Sequence, residues 1–397
     1  MRMENENKGK VIFIFVCIYL LFMTSRAIFN PYVTVYLQEK GFATEKIGLI
    51  TGANSLVLII AQPFWGIITD KLRSAKYTLV ICLMFQAAFS LALVYCNTFL
   101  MVAACFCLYG FFSSPEGPLL DTWCLSKLKA IGCHNAVGQM KFAGCFGYAL
   151  ASILSGYVIA SYDTAKILPV FAVVLFGIGC FLLLIRVNVK AEKKEVARKL
   201  QVRRIIKDTN FLIFLIVIFF MQIPHRAAYT FYPVLISSLG GDKAFVGYTS
   251  AVMFLSEGIV MFLSKKLLSR YRASNIIVSS GVFFILWQIL YAIIDRPWQV
   301  VAIATLDGPS YALFTIGVLY YLDEIAPAEM RTTYQTITYA IYFGLSGIAG
   351  NSVGGWMIGN YGFQNLYLTG AVIVGISTLC LHLVNKFGAG KEARELV

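Results

Sequence analysis

Charged residues are scarce in this chain. Only 13% of its 397 residues are Asp, Glu, Lys or Arg, and 59% are hydrophobic, whereas soluble globular proteins have roughly 25% charged and about 45–50% apolar residues. A soluble fold of this composition would lack the polar residues that its surface needs. The same numbers exclude a disordered chain, a coiled coil and a secreted domain held by disulfides. We therefore predict an integral membrane protein.

Motifs for metal, nucleotide or covalent chemistry are also missing. The ten cysteines form no C-x-x-C pair, and the three histidines (134, 225 and 382) are far apart, so we predict no metal site. No Walker A glycine loop is present, which argues against ATP-driven work within this chain. A membrane enzyme would need a nucleophile–base pair or metal ligands near one membrane face. We expect neither a cofactor nor an enzymatic activity.

Long apolar runs dominate the chain instead. Each is long enough for a membrane-spanning helix, which needs about 20 apolar residues. The runs are continuous rather than alternating, which excludes a β-barrel, and the first is too long for a signal peptide. We predict an all-α polytopic membrane protein with twelve transmembrane helices. They lie near 11–37, 45–68, 77–95, 99–123, 138–160, 167–186, 209–237, 244–264, 274–294, 298–322, 332–358 and 365–385.

Basic residues are distributed unequally between the two sets of predicted loops. Twenty-five of the 33 Lys and Arg residues fall on the side of the two termini, and five fall on the other side. This bias predicts cytoplasmic termini in a multi-pass protein of the cell (plasma or inner) membrane. The net charge of +13 is thus spread along one membrane surface. We expect contacts with lipid, no nucleic-acid partner and a monomer.

A long charged loop divides the helices six and six, and the halves have features of diverged copies. Arg26 and Arg226 lie 15 and 17 residues after the first residues of helices 1 and 7, and an aromatic stretch with proline follows each. Gly48 opens helix 2, and Gly247 opens helix 8. Two such halves around a shared cavity are typical of secondary transporters. The predicted parts are an N-terminal six-helix bundle (1–186), a charged cytoplasmic linker (187–208) and a C-terminal six-helix bundle (209–397).

The loop between helices 2 and 3, residues 66–76, has the sequence GIITDKLRSAK. A glycine, then an acid, then spaced basic residues resemble the signature loop of the major facilitator superfamily, although Arg73 and Ser74 replace its usual second glycine. The resemblance implies a gating role for Gly66, Asp70 and Arg73. The glycine would allow close helix approach, and the acid and base would latch the cytoplasmic gate. The alternative is that these charges serve topology alone.

Five further segments resemble one branch of this superfamily. They are 30–37 (NPYVTVYL), 62–66 (QPFWG), 138–149 (GQMKFAGCFGYA), 256–257 (SE) and 306–308 (LDG). They resemble the lactose permease and phenylpropionate permease branch. In its proton-coupled sugar permeases, a helix 4 acid and a helix 5 arginine hold sugar hydroxyls, so the resemblance implies these roles for Asp121 and Lys141. The aromatic residue that stacks on the sugar ring corresponds to Tyr148, the helix 8 acid to Glu257, and a helix 10 histidine to Asp307.

Seven formally charged residues fall within the predicted spans. Each costs about 2.5–3.5 kcal/mol at the centre of an inserted helix, so it normally faces the bundle interior and a partner. Three cations cannot pair with four acids, so one acid should hold or exchange a proton. The residues are Arg26, Lys141 and Arg226 against Glu116, Asp121, Glu257 and Asp307.

Glu257 and Asp307 are the deepest of these acids. We predict that they form the proton-coupling site, with Arg226 and His225 of helix 7 as charge partners. A neutral histidine that only packs and hydrogen-bonds is the alternative for His225.

Asp121 and Lys141 each lie ten residues from the turn centred near residue 131. In an antiparallel helix hairpin they therefore share a depth, and a salt bridge between them is feasible. The pair either holds the two helices together or binds solute hydroxyls. Lysine lacks the planar fork of arginine, so it grips a ligand differently.

Glu116 lies in a segment with two prolines, which should kink helix 4 and free backbone carbonyl groups. These carbonyls either bind solute or a cation, or the kink serves packing alone. It is about 140° around the helix from Asp121, so the two acids should not act as one dyad. Instead of facing the bundle interior, Glu116 or Asp121 could lie among hydrated lipid headgroups; this alternative stays open. Arg26 binds an anionic group or pairs with Asp307. With Asn30 of the first motif, these residues complete the predicted solute site.

The sequence thus predicts a proton-driven symporter of a small polar solute, such as a sugar or oligosaccharide, that works by alternating access. Within the transporter class, the alternatives are a permease for an aromatic acid or nucleoside and an exporter of amphipathic compounds. An apolar cavity without sugar-like polar pairs would favour export. The six-plus-six repeat argues against a receptor or a channel.

Overall fold

The computed structural model describes residues 8–133, 137–161, 163–185, 208–327 and 330–395, and those residues contain helices and no strand. The predicted linker lies outside them apart from Asp208. The first half of the chain forms α1 (Lys8–Phe29), α2 (Val33–Glu39), α3 (Thr44–Leu72), α4 (Ala75–Tyr95), α5 (Phe99–Ser113), α6 (Glu116–Ala130), α7 (Val137–Ala160) and α8 (Ile167–Leu184). The second half forms α9 (Thr209–Ser238), α10 (Lys243–Leu268), α11 (Ala273–Ala292), α12 (Pro297–Ile325), α13 (Arg331–Tyr339) and α14 (Ser346–Glu395).

The described residues include eleven helical stretches that are long and apolar enough to cross a membrane. The last stretch, Thr333–Lys386, has 54 residues, and would be about 81 Å long if it were straight. It folds back at Gly362, which has φ +79°. A methyl group on Gly354 would therefore lie 3.8 Å from Leu366 Cδ1, twelve residues along the chain. The eleven stretches thus make the twelve predicted crossings.

Three of the crossings are interrupted within their length. Pro31 separates α1 from α2, because proline lacks the N–H that would continue the helix. Pro115 lies between α5 and α6 in the same way. The crossing that begins with α13 contains a π-turn over Ala340–Leu345, a feature often found at functional sites.

Each half of the chain builds its own apolar core. Phe15, Leu83 and Phe171 belong to a buried cluster formed mainly by the first half. Phe211 and Trp287 belong to a second cluster formed mainly by the other half. The two cores fit the predicted pair of six-helix bundles, whose exact bounds stay a prediction.

The halves meet tightly at the end of the bundle opposite to the start of α1, here called the distal end. Gly156 of α7 and Gly247 of α10 touch, since a methyl group on Gly156 would lie 3.1 Å from Gly247 Cα. A methyl group on Gly48 of α3 would lie 3.2 Å from Gly355 Cα of α14. Lys243 Nζ also contacts Glu39 Oε1 at 2.8 Å across the two halves. The distal end is therefore closed.

Candidate functional site

Asp121 of α6 and Lys141 of α7 form a salt bridge between adjacent helices. Lys141 Nζ lies 2.9 Å from Asp121 Oδ2, and Tyr19 of α1 donates to Asp121 Oδ1 at 2.5 Å. The two charged side chains are 44% and 47% exposed, while Tyr19 is buried. The pair predicted from equal depth is present, and it remains accessible within the spans. Its role in solute binding stays a prediction.

Sequence analysis missed Tyr19, although its position contains a clue. Tyr19 lies seven residues before Arg26, so both side chains project from the same face of α1. That face is turned toward the charged residues of α6.

Glu116 is buried at the start of α6, with 4% of its surface exposed. Gln86 of α4 donates to its Oε1 at 2.5 Å, and Arg26 of α1 lies 3.4 Å from its Oε2. A headgroup position for Glu116 is thus wrong, and Arg26 pairs with Glu116 rather than with Asp307. The contact of Gln86 with Glu116 was not predicted, because in the sequence Gln86 is a lone amide within an apolar helix. Glu116 and Asp121 have separate partners, as their angular separation predicts.

Tyr148 lies at the interface between the two halves and is buried. Phe254 of α10 stacks on its ring, with centroids 3.5 Å apart and planes inclined by 18°. In this conformation Phe254 therefore covers one face that the permease resemblance assigns to a sugar ring. Asn30 is half-buried at the break after α1, and its backbone N–H donates to the Arg26 carbonyl at 2.9 Å. Solute contact by either residue stays a prediction.

Asp307 of α12 and His225 of α9 lie side by side in the second half. His225 Nε2 is 3.7 Å from Asp307 Oδ1, and both residues are buried. Glu257 of α10 interacts electrostatically with Asp307 in its own half and with Lys141 in the other half. Gly308 permits this arrangement, because a methyl group there would lie 2.8 Å from the Glu257 backbone nitrogen. Glu257 thus lies within electrostatic range of both the other deep acid and the accessible lysine.

Arg226 of α9 is placed differently from its predicted position. Its guanidinium carbon lies 4.9 Å from the ring centroid of Tyr342 and 4.6 Å from that of Phe343. Among the described residues, no carboxylate lies within salt-bridge distance of Arg226. The predicted ion pair between Arg226 and Glu257 or Asp307 is therefore absent from this conformation, because the two aromatic rings hold the guanidinium.

The predicted gating residues lie at the end of the bundle where α1 begins. Gly66 is exposed, and a methyl group on it would meet nothing within 4 Å. The close helix approach predicted for Gly66 is thus absent here, since no neighbouring helix reaches this glycine. Asp70 and Arg73 are exposed and have no ion pair within the described part of the chain. Their gating role stays a prediction.

No group of metal-ligating side chains is present in the portion of the chain that the structure describes.

A family model with the description "MFS_1 like family" matches residues 13–369. The chain belongs to this family. It is thus a multi-pass membrane transporter of the major facilitator type that carries a small-molecule solute, and it is not an enzyme.

Relatives of the chain include permeases for sugars and for an aromatic acid. The maltose permease of Geobacillus stearothermophilus is 24% identical over 377 residues, which cover 94% of this chain and 95% of that protein. A probable 3-phenylpropionic acid transporter of Escherichia coli is 26% identical over 324 residues, which cover 79% and 82%. The predicted resemblance to this permease branch is confirmed.

A solved structure of the nucleoside transporter NupG has the same fold. It superimposes with a TM-score of 0.84 at 17% sequence identity, and the match covers 95% of this chain and 99% of NupG. The predicted major facilitator fold with its two six-helix repeats is thereby confirmed. At this identity the likeness concerns the fold alone.

Proposed function

We propose that this transporter is a proton-coupled symporter of a small polar solute, such as a sugar or oligosaccharide. The observation that carries the proposal is the accessible Asp121–Lys141 pair with Tyr19 beside it. A carboxylate accepts hydrogen bonds from hydroxyl groups, and an ammonium group donates to them. Side by side, the two charged groups match the alternating donors and acceptors of a sugar. Sugar permeases among the relatives support the same solute class.

The proposed proton site is next to this solute site. Glu257 interacts with Lys141 on one side and with Asp307 on the other, and Asp307 in turn contacts His225. A proton on Glu257 removes one of the two negative charges near Lys141 and leaves Asp121 as its anionic partner. In the proposed coupling the pair binds solute when Glu257 is neutral, so solute binding and proton binding favour each other.

The proposed transport cycle moves the two halves about this site. The distal end is closed by the Gly156–Gly247 contact and by Glu39–Lys243, and in the proposed cycle the site exchanges solute at the other end. We place that other end, with both termini, at the cytoplasmic face of the plasma membrane, as the loop charges favour. Rocking of the halves would then open the distal end to the outside.

A second candidate is a permease for an aromatic acid or a nucleoside. The stacked Tyr148–Phe254 pair supports it, because opening this pair would offer two ring faces to an aromatic solute. A relative is described as a probable 3-phenylpropionic acid transporter. Export of amphipathic compounds receives less support, since the accessible Asp121–Lys141 pair is polar.

Counterflow in proteoliposomes tests the solute site. Lys141→Ala and Asp121→Ala should each abolish counterflow of labelled maltose or sucrose, since each variant leaves its former partner's charge unpaired. Lys129→Ala, at an exposed position on α6, is the matched control and should transport normally. Near-normal affinity in both site variants would make the pair structural and would place the solute elsewhere.

Uphill accumulation tests the proton site. Glu257→Gln and Asp307→Asn remove ionisation but keep size and hydrogen-bonding capacity. At least one should lose accumulation driven by a pH gradient yet retain exchange, because exchange needs no net proton release. Glu324→Gln, an exposed position on α12, serves as the control. Accumulation that follows a sodium gradient and ignores pH would contradict proton coupling.

A further inference from the structure

Arg226 has an unusual environment within the membrane-spanning region. Its guanidinium faces the rings of Tyr342 and Phe343 at 4.9 and 4.6 Å. These are consecutive residues, which in a regular α-helix would point about 100° apart. The π-turn over Ala340–Leu345 contains both residues, and both rings reach the same cation. The π-turn thus lies where its side chains contact Arg226, and π-turns are often found at functional sites.

Two nitrogen atoms of this guanidinium, Nε and Nη2, are buried without a hydrogen-bond partner. Their N–H bonds lie on the same edge of the planar group and point the same way. That edge matches the two oxygens of a carboxylate, which arginine binds through two parallel hydrogen bonds. The hydroxyl of Tyr311 also interacts with Arg226. The edge of Arg226 that carries Nε and Nη2 is therefore shaped for a planar anion.

The other two cations within the spans already have acid partners. Arg26 lies 3.4 Å from Glu116, and Lys141 lies 2.9 Å from Asp121. For Arg226 the described residues supply two aromatic faces and no carboxylate. A buried charge without a counter-ion is costly in the membrane, and an anionic solute would provide the missing counter-ion.

We propose that Arg226 binds a carboxylate group of the transported solute, with Tyr342 and Phe343 closing over it. This inference rests on the proposed symport and narrows its solute to a hydroxylated or aromatic carboxylic acid. The carboxylate also gives protonation of Glu257 a second effect. A protonated Glu257 no longer repels the incoming anion, so that one proton and one carboxylate cross together without net charge.

The test measures apparent Kd from the ligand-dependent rise in unfolding temperature of the purified full-length protein. D-glucuronate is compared with D-glucose, and 3-phenylpropionate with 3-phenylpropan-1-ol, so that each pair differs mainly in the carboxylate. We expect at least one acid to bind about tenfold to hundredfold more tightly than its neutral partner, as for one additional charge-assisted hydrogen bond. The pair that shows this difference distinguishes a sugar acid from an aromatic acid.

Two variants identify the residue responsible. Arg226→Gln should abolish the preference for the acid, so that the acid and its neutral partner bind with equal Kd. Arg226→Lys keeps the charge but loses the fork, so it should recover only part of the preference. Arg270→Gln is the matched control, because Arg270 lies 5.8 Å from the ring of Tyr271 outside the spans.

Three results would overturn the carboxylate site. They are equal binding of acid and alcohol in both pairs, failure of both acids to stabilise at millimolar concentration, and a full acid preference in Arg226→Lys or Arg226→Gln. Counterflow of neutral sugars that persists alongside any of these results would leave the proposed function intact. Loss of counterflow for every solute would instead contradict the proposed function itself.

Discussion

Gly247 offers a direct test of how the distal end stays closed. A methyl group at this position would overlap the backbone carbonyl oxygen of Ser152 and lie 3.1 Å from Gly156 Cα. Backbone atoms cannot rotate away as a side chain can, so Gly247→Ala must push α7 and α10 apart. We therefore expect this single methyl group to favour the conformation that is open at the distal end.

The magnitude follows from the cost of overpacking, which is roughly 1–3 kcal/mol per site. Since 1.4 kcal/mol corresponds to a tenfold change in an equilibrium constant, the ratio of closed to open molecules should fall about 5-fold to 150-fold. Gly177→Ala is the matched control. A methyl group there meets nothing within 4 Å, and both changes raise helix propensity by the same amount of about 1 kcal/mol.

The assay is a spin-label distance measurement across the distal end. Labels at Asn97→Cys and Asp295→Cys, exposed positions in the two halves, report the separation in a background without native cysteines. Gly247→Ala should shift the distribution to longer distances, and Gly177→Ala should not. Identical distributions in the two alanine variants would refute the reasoning that the Gly156–Gly247 contact holds this end closed.

Three further predictions concern single side chains. Arg73 has φ +51° at the end of α3, so Arg73→Gly should relieve about 1 kcal/mol of backbone strain and raise the unfolding temperature; an unchanged or lower temperature would contradict this. Asp70→Asn should slow transport while solute affinity stays nearly constant, and a loss of affinity with normal saturated transport would exclude a gating role. Gln86→Leu removes the donor to the buried Glu116, which should lower the free energy of unfolding by about 1–3 kcal/mol. Thermal unfolding measures this loss, and Gln62→Leu, at an exposed position, is the control.

The fold was predictable because a membrane imposes one strong constraint on the chain. Every backbone N–H and C=O in the hydrocarbon region must be satisfied within the helix, so each span appears as a long apolar run. Helix α4, for example, covers Ala75–Tyr95, against a predicted 77–95. The Asp121–Lys141 pair was predictable for a related reason, since a short hairpin fixes the relative depth of residues on its two helices.

Contacts between distant helices were not predictable in this way. Gln86 reaches Glu116, and Phe254 stacks on Tyr148, because of how each helix is rotated about its own axis. Hydropathy gives the depth of a residue but not this rotation. The predicted ion pair of Arg226 with an acid was wrong for a further reason. A π-turn in a different crossing brings the rings of Tyr342 and Phe343 against the Arg226 guanidinium.

The position of Glu257 explains how the proposed coupling would depend on conformation. Glu257 belongs to α10 in the second half, and it interacts with Lys141 of α7 in the first. Two unit charges about 5 Å apart attract each other by roughly 3 kcal/mol at an effective dielectric constant near 20, and by half as much at about 10 Å. Any rocking of the halves that changes this separation changes the free energy of ionising Glu257. Proton affinity would then alternate with access, because the acid and the cation that stabilises its charge belong to different moving halves.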